Sequence, residues 1–581
     1  MKKRNKKIGK RNILLPLTLS AVFIISLSVY IAGLCPVVAP GDSGELIAAS
    51  YTMGIAHPTG YPVYTVLGKL FTNLPFGTIA ARVNLMSAFF ASLAAFFLGS
   101  LIAGFYRESY AKSFKTSLLA PFSALIFAFT PILWKQSVVA EVYSLNAFFI
   151  VLLMWLAYRS SGKLLQAVLG GSIFGLSLGN HNTMLMFFPL FLYFFSIQQK
   201  RFLWKNAFLF TAGGLFFFSL TAFYMYIRAC ASTEMNWGDP STIGRLIAHL
   251  TRKEYGKINL LPYSFNLFFD QLLHFVKLLY LQFNIFLVAG IYGAYILFRK
   301  NKKAFLLTGY TFLTFLVVLL AINFSPNPKE LDIAKVFFIP SFLAVSIFIA
   351  CALIKLPFNA FIILPAVMLI LGFPANNMSS DFLARDFAKG IFASCEKDSV
   401  LIVSGDNPVY PSIYLKICEK TRPDLLLINE SGTVLGEAFG RGFIELSPLE
   451  KNLQRAKTYR ELAKQRTIYF TAGSMLSFEK EEFFVPSGLT YALNLDGKKK
   501  PEGLEKSSLP RERMVFTDDY LVNEIYARYV YAGAEYDYAA GNIDAAKAGY
   551  ARTLELLAMD PNLSGLRSRI NTKLALKGAK Q

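Results

Sequence analysis

Gly41-Asp42-Ser43-Gly44-Glu45 places two carboxyl groups three residues apart, directly after Pro40. If a helix begins at Ser43, Asp42 stands at its N-cap and Glu45 on its first turn, facing much the same way. Two carboxyls held close together raise one another's pKa, and a carboxyl tuned in that way suits general-base work. The same spacing also serves a local purpose, with Asp42 capping the helix and Glu45 as its capping-box partner. As hard oxygen ligands the pair can instead hold a divalent cation. Spacing alone leaves these readings open. His57-Pro58-Thr59-Gly60-Tyr61-Pro62 follows in the same stretch, and the chain has only four histidines. A histidine set among Pro and Gly can bind phosphate or shuttle a proton, although a lone one is as readily a packing residue. Arg82 and Asn84 open the next apolar run; Arg82 is either an interfacial anchor or a holder of lipid phosphate.

Further polar groups recur along the chain. Lys135 and Glu141 flank the start of an apolar segment, and Asn180-His181-Asn182 joins two others. Arg228 ends a long apolar run, and Asn236-Trp237-Gly238-Asp239-Pro240 comes next, with His249, Thr251 and Tyr255 downstream. A tryptophan beside Gly and Asp can stack on a sugar or anchor the chain at a membrane interface. Gly405-Asp406-Asn407 closes a short strand, as a turn or as a ligand contact.

These residues have to be positioned by apolar helices. Of the 581 residues 54% are hydrophobic and only 17% charged, and the mean hydropathy is +0.43. Soluble domains carry about 25% charged residues. Eleven segments read as membrane spans: 13–34, 83–105, 118–134, 138–158, 165–180, 183–198, 206–227, 276–298, 304–323, 335–354 and 356–374. The first is too long for a signal peptide, and no small-residue cleavage site follows it. Lysine and arginine asymmetry puts the basic N-terminus, residues 1–12, in the cytoplasm. It puts the loops 35–82 and 228–275, and everything after 375, outside. By that topology the polar groups named above converge on one face of the membrane. The net charge of +22 lies largely in short inside loops, which suits lipid head groups, and nothing resembles a nucleic-acid module.

Beyond the bundle at 13–374, residues 375–497 read as an α/β domain outside the membrane. Val400–Val403, a helical stretch and Leu425–Ile428 form a strand–helix–strand unit, and Thr467–Phe470 adds a strand. A linker at 498–516 leads to a helical tail, 517–581. There Tyr536, Gly541, Ala545, Ala546, Tyr550 and Asp560-Pro561 resemble one tetratricopeptide-type hairpin. A single such unit cannot bury its own face, so it is expected to pack on the α/β domain. Five cysteines are scattered with no metal-ligand spacing. Cys395 and Cys418 share the polar domain, either as a pair or as two buried thiols.

The segment GDSGELIAASYTMGIAHPTGYPVYTVLGKLF with LPFGTIAARVNLMSA, then NWGDPST with the His249–Tyr255 region, and SGDN and TRPD, resembles a particular family. It was first known as a domain of unknown function in bacterial membrane proteins and includes the vertebrate transmembrane (plexin-type) protein O-mannosyltransferase. The resemblance implies a mainly α, GT-C-like glycosyltransferase that takes a sugar, mannose or a similar hexose, from a polyprenyl-phosphate donor. The acceptor would be a hydroxyl outside the cell, on a protein or a glycan. It assigns Asp42 as the base with Glu45 as partner or second candidate. Stabilisation of the leaving phosphate then falls to His57 and Arg82 before Lys135 or Arg228, with no obligatory metal. Tyr61, Asn84, Glu141, His181, Asn182, Trp237 and Asp239 complete the expected substrate contacts. A lipid flippase or polysaccharide transporter is the competing class, and a non-catalytic scaffold or receptor is a third. Polar groups at helix ends rather than at the midplane, and the lack of an internal repeat, count against transport.

Overall fold

A computed structural model describes the chain except residues 1, 110–120, 254–263, 356–359, 441, 475–482, 496, 498, 505–516, 560–563 and 576–581. Tyr255, Asp560-Pro561 and most of the expected linker therefore lie outside the described residues. The first helix, α1 (Lys2–Ala32), leads into a compact lobe rather than a loose loop: α2 (Ser43–Thr52) and α3 (Pro62–Thr72) precede α4 (Ile79–Ser109). Then come α5 (Ala124–Ala128), α6 (Pro131–Ser137), α7 (Tyr143–Arg159), α8 (Leu164–Leu178), a 3-10 turn (Asn182–Phe187) and α9 (Phe188–Ser196). A small hairpin, β1 (Ile197–Gln198) and β2 (Arg201–Phe202), turns the chain into α10 (Trp204–Cys230), and α11 (Ile243–Leu250) follows. The bundle closes with α12 (Phe265–Phe283), α13 (Phe286–Lys300), α14 (Lys302–Val317), α15 (Pro328–Ala334), α16 (Ile339–Leu353) and α17 (Ala360–Asn376).

Among the described residues five helices are long and apolar enough to cross a membrane, or six if α12 and α13, bent by 99°, form one span. Four more apolar helices are shorter. The eleven straight spans expected from hydropathy need correction in two places. Segment 118–134 is not one helix, because Thr130 is extended and Pro131 starts α6 afresh. Segment 276–298 breaks at Asn284, which has a φ of 49°. Rows of exposed apolar side chains run along α10 (Phe208, Phe216, Phe223) and α13 (Val288, Ile291, Tyr295). Such surfaces are costly in water and natural against lipid tails. The inner helices pack closely through small residues: a methyl group at Gly171 or Gly175 of α8 would meet the backbone of α10.

After α18 (Leu383–Ala393) the chain builds β3 (Val400–Val403), α19 (Asp406–Ile417), β4 (Leu426–Asn429), α20 (Pro448–Ala463), β5 (Ile468–Phe470), β6 (Phe484–Ser487) and β7 (Thr490–Leu493). The sheet runs β4-β3-β5-β7-β6, parallel among the first three strands and antiparallel beyond. The tail forms α21 (Tyr520–Ala539), α22 (Ile543–Leu556) and α23 (Ser564–Ala575). Tyr526, Tyr531, Ala546 and Tyr550 of the tail share one core with Val400, Ile402, Ile468 and Phe470 of the sheet. Cys395 and Cys418 are buried free thiols. Helix α19 is wedged between this unit and the membrane bundle. It packs so closely on α2 that a methyl group at Gly44 would collide with the Tyr410 carbonyl.

Candidate active site

Helix α2 does start at Ser43 with Asp42 in the N-cap position, but the Asp42 side chain makes no capping bond. Glu45 does not reach back to the N-cap either. Both its oxygens go to His57: Oε1 accepts the backbone N–H at 2.6 Å and Oε2 accepts Nδ1–H at 2.7 Å. The capping-box reading is thereby removed. Glu45 is fully buried, whereas the Asp42 side chain is 42% exposed. On the far side of the imidazole, Nε2 lies 2.9 Å from the Tyr61 hydroxyl and 3.8 Å from Asp42 Oδ2. Asp42 is thus the acid open to a reactant, and Glu45 is the acid that orients the histidine.

The electrostatics of the pair follow from this geometry. Burial opposes a charge on His57, but the Tyr61 oxygen, Glu45 and Asp42 outweigh it and hold the imidazole well above the ordinary histidine range. Burial raises the Glu45 carboxyl against the pull of His57. Between them the two groups hold a proton at neutral pH, with a hydrogen bond along their shared axis.

Rings close the site. His57 meets Tyr61 edge-on at 4.9 Å and Trp237 edge-on at 6.2 Å, and Trp237 lies 6.2 Å from Tyr410 of α19. His181 stacks on Tyr61 at 6.0 Å. Thr183 N–H donates to His181 Nδ1, and burial together with the positive Arg252 and His57 depresses this imidazole to about 3, so it is neutral. His249 holds the Ala56 carbonyl through Nε2 at 3.1 Å, and burial keeps it neutral too, near 4. Glu141, in the turn between α6 and α7, interacts with the charges of Asp42, His57 and Glu45.

Several expected substrate contacts are occupied elsewhere. Arg82 donates to the carbonyls of Thr72, Phe76 and Gly77, tying off the end of α3. Arg228 does the same for α2, through the Met53 and Thr52 carbonyls. Lys135 pairs with Asp519 of the tail at 2.5 Å. Asn84 is buried and donates to the Cys35 and Val37 carbonyls. Asp239 pairs with Arg245 at 2.7 Å, and Asn182 is exposed and reaches the Leu250 carbonyl at 3.5 Å. These six groups make backbone or domain contacts. The cation whose charge reaches Tyr61, His181 and His249 is Arg252. Sequence reading missed it, although it directly follows Thr251 in a stretch already singled out.

Asp42, Glu45 and His57 offer ligand atoms within 4.8 Å of one another. A divalent cation bound there would have to compete with the bonds these groups make to one another. Glu45 Oε1 is bound to the His57 backbone N–H and Oε2 to Nδ1, so a cation there would have to displace these bonds and the imidazole proton.

A family model described as the protein O-mannosyl-transferase TMEM260 N-terminal domain matches residues 42–204. The protein O-mannosyl-transferase TMEM260 of Mus musculus is 27% identical over 453 residues, covering 71% of this chain and 61% of the relative. The protein O-mannosyl-transferase of the same name in Dictyostelium discoideum is 25% identical over 477 residues, covering 71% of this chain and 56% of the relative. The chain thus spans well under two thirds of the length of these relatives. Among solved structures, ArnT from Cupriavidus metallidurans in the apo state matches with a TM-score of 0.51 at 11% identity, over 84% of this chain and 98% of that one. The resemblance read from the motif therefore holds: over residues 42–204, which contain Asp42, Glu45, His57 and Tyr61, the chain matches the TMEM260 N-terminal domain, and its fold resembles that of ArnT.

Proposed function

We propose that the protein is a membrane glycosyltransferase that moves a hexose such as mannose from a polyprenyl-phosphate carrier to an acceptor hydroxyl outside the cytoplasm, on a protein or a glycan. One observation carries the reading. Of the two acids in the motif, Asp42 alone is left open, beside a histidine that Glu45 holds cationic.

Asp42 accepts the proton of the acceptor hydroxyl as that oxygen bonds to the anomeric carbon. The bond from that carbon to the phosphate oxygen breaks, and the lipid phosphate leaves with the electron pair. A single displacement of this kind inverts the anomeric centre. His57 and Arg252 supply positive charge for the leaving phosphate, a role for which electrostatic groups are worth about 100- to 1000-fold. Names of similar proteins, the GT-C-like fold and the matched segment all support this class of reaction. The reading keeps the topology inferred from charge, a multi-pass plasma-membrane protein with a cytoplasmic N-terminus and the site on the outer face.

The test uses purified full-length protein, polyprenyl-phosphate-mannose and an extract of exported proteins as acceptor. Asp42→Asn should lower transfer by about 100- to 10,000-fold, the usual contribution of a general base. Near wild-type turnover in that variant would remove Asp42 from the role. Treatment with a chelator should leave the wild-type rate unchanged, and a chelator-sensitive rate restored by added metal would overturn the metal-free mechanism.

A further inference from the structure

Asp42 is held in place by its main chain. Its side chain makes no capping bond, and among the described residues its carboxyl accepts no hydrogen bond; His57 Nε2 stands 3.8 Å away. Whatever fixes the backbone just before Asp42 therefore places the proposed base. Gly41 carries that backbone at a φ of 74°, in the left-handed region that favours glycine. A methyl group there would also meet Leu521 Cδ1 of α21 at 2.9 Å. The Gly41 N–H is buried, and it donates to Oδ1 of Asn407, in the first turn of α19, at 3.3 Å.

Asn407 is fully buried, and its neighbours leave its amide one orientation. Its Nδ2 donates to Glu524 Oε2 at 2.8 Å and to the Leu521 carbonyl at 3.1 Å. Both partners are acceptors, so the NH2 group must face α21 and the oxygen must face Gly41. Glu524 is fixed from behind in turn. Its other oxygen, Oε1, accepts Arg528 Nε at 3.0 Å and Nη2 at 2.6 Å, and the Arg528 and Glu524 side chains are only 6% and 7% exposed. A buried series of bonds thus runs from Arg528 through Glu524 and Asn407 to Gly41, and it ends one residue before Asp42. Aspartate at 407 would have the same shape but no donor for α21, and leucine would have neither donor nor acceptor.

We propose that Asn407 and Glu524 are positioning residues: the unit that follows the membrane bundle sets the place of the Asp42 carboxyl through the Gly41 main chain. This rests on the glycosyltransferase reading, with Asp42 as the base. Both residues, and Arg528 behind them, lie outside the matched segment 42–204. A displacement of about 1 Å at a reacting group costs about 100-fold in rate, so a distant bond can govern the chemical step.

The experiment measures mannose transfer from polyprenyl-phosphate-mannose by full-length protein in nanodiscs. Asn407→Asp keeps the shape of the side chain but sets a second carboxyl against Glu524. It is made in wild type and in Asp42→Asn. In wild type, kcat is expected to fall about tenfold or more, with KM for the donor within about threefold. In Asp42→Asn the same substitution is expected to change the residual rate by less than about threefold, because the base it positions is gone. Loss by the same factor in both backgrounds overturns the proposal, since a general structural defect does not depend on Asp42. A raised donor KM with kcat unchanged, or no loss at all, overturns it too. Adding Glu524→Gln to Asn407→Asp restores a donor: the new amide keeps an oxygen for Arg528 and offers N–H to the new carboxyl, which still accepts from Gly41. That double variant is expected to return to within about threefold of the wild-type kcat. The Leu521 carbonyl remains without its donor, so recovery belongs to the series that ends at Gly41. A double variant that melts like wild type yet stays as slow as Asn407→Asp overturns the proposal. If wild type transfers no mannose, the glycosyltransferase reading itself fails, so the two failures are distinguishable.

Discussion

Replacing Glu45 by Gln changes one atom of the pair that defines the site, and its consequences can be worked through in advance. Glu45 holds His57 by two bonds, at 2.6 and 2.7 Å, both out of contact with water. Two opposite charges about 4 Å apart attract by about 4 kcal/mol at an effective dielectric of about 20. That attraction favours the charged imidazole and so raises the His57 pKa. The amide removes that support while the desolvation of burial remains, so the His57 pKa falls, with only the Tyr61 oxygen and Asp42 left to raise it. The sign is fixed by the raised value in the wild type. There the imidazolium is fully formed below the ordinary histidine range and is lost only as pH rises through its raised pKa. Stability contributed by the pair follows the same course. Glu45→Gln should therefore move the alkaline fall of the transfer rate to lower pH and cut the rate at pH 7.5 by about 100-fold. Rates measured from pH 5.5 to 9.5 at saturating donor decide the matter. A variant with the wild-type rate and an unmoved alkaline limb would refute the assignment of Glu45 as the group that keeps His57 charged.

Other substitutions separate the site from its supports. Gly44→Ala puts a methyl group against the Tyr410 carbonyl, so α19 should separate from α2 at a cost of about 1–3 kcal/mol, read as a lowered Tm together with lost transfer. Arg252→Ala should raise KM for the polyprenyl-phosphate donor about tenfold or more and leave Tm within a degree or two, as measured by donor titration and thermal melting. Arg82→Ala should behave oppositely: it frees three backbone carbonyls and should lower stability by about 1–3 kcal/mol, with KM for the donor unchanged in the protein that remains folded.

The membrane character and the acid pair were legible from sequence because each depends on near neighbours: long apolar runs, and two acids one helical turn apart. The division of labour within the pair was not. It depends on the turn around Pro58 and Gly60 that folds His57 back over α2, and spacing carries no record of that fold. Arg82 and Arg228 were singled out on residue type alone, since an arginine at a membrane face suits phosphate. Their guanidinium groups instead satisfy the carbonyls left open where α3 and α2 end, a need that appears only once those short helices exist. Arg252 carries no local motif linking it to Asp42, so only the tertiary fold associates them. The break at Asn284 was hidden for a related reason: hydropathy averages over a bend. The β6–β7 hairpin did leave a sign, Ser487-Gly488-Leu489 before Thr490-Tyr491-Ala492-Leu493, with Gly488 at a positive φ in a two-residue turn.

The bond between Asn407 and Gly41 joins residues 366 positions apart. On the proposed topology, the helices that carry Asp42 enter the membrane during synthesis long before α19 has been made and moved across it. The proposed base therefore waits in an unfinished crevice, one wall missing, until nearly the whole chain has been delivered to the other side. Premature engagement of carrier lipid by a nascent chain is disfavoured by the order of manufacture itself. A chain arrested after α17 should insert into the membrane yet fail to retain polyprenyl-phosphate-mannose, whereas one released after α21 should retain it. On the proposed function, activation would then coincide with delivery of α19 to its place against α2.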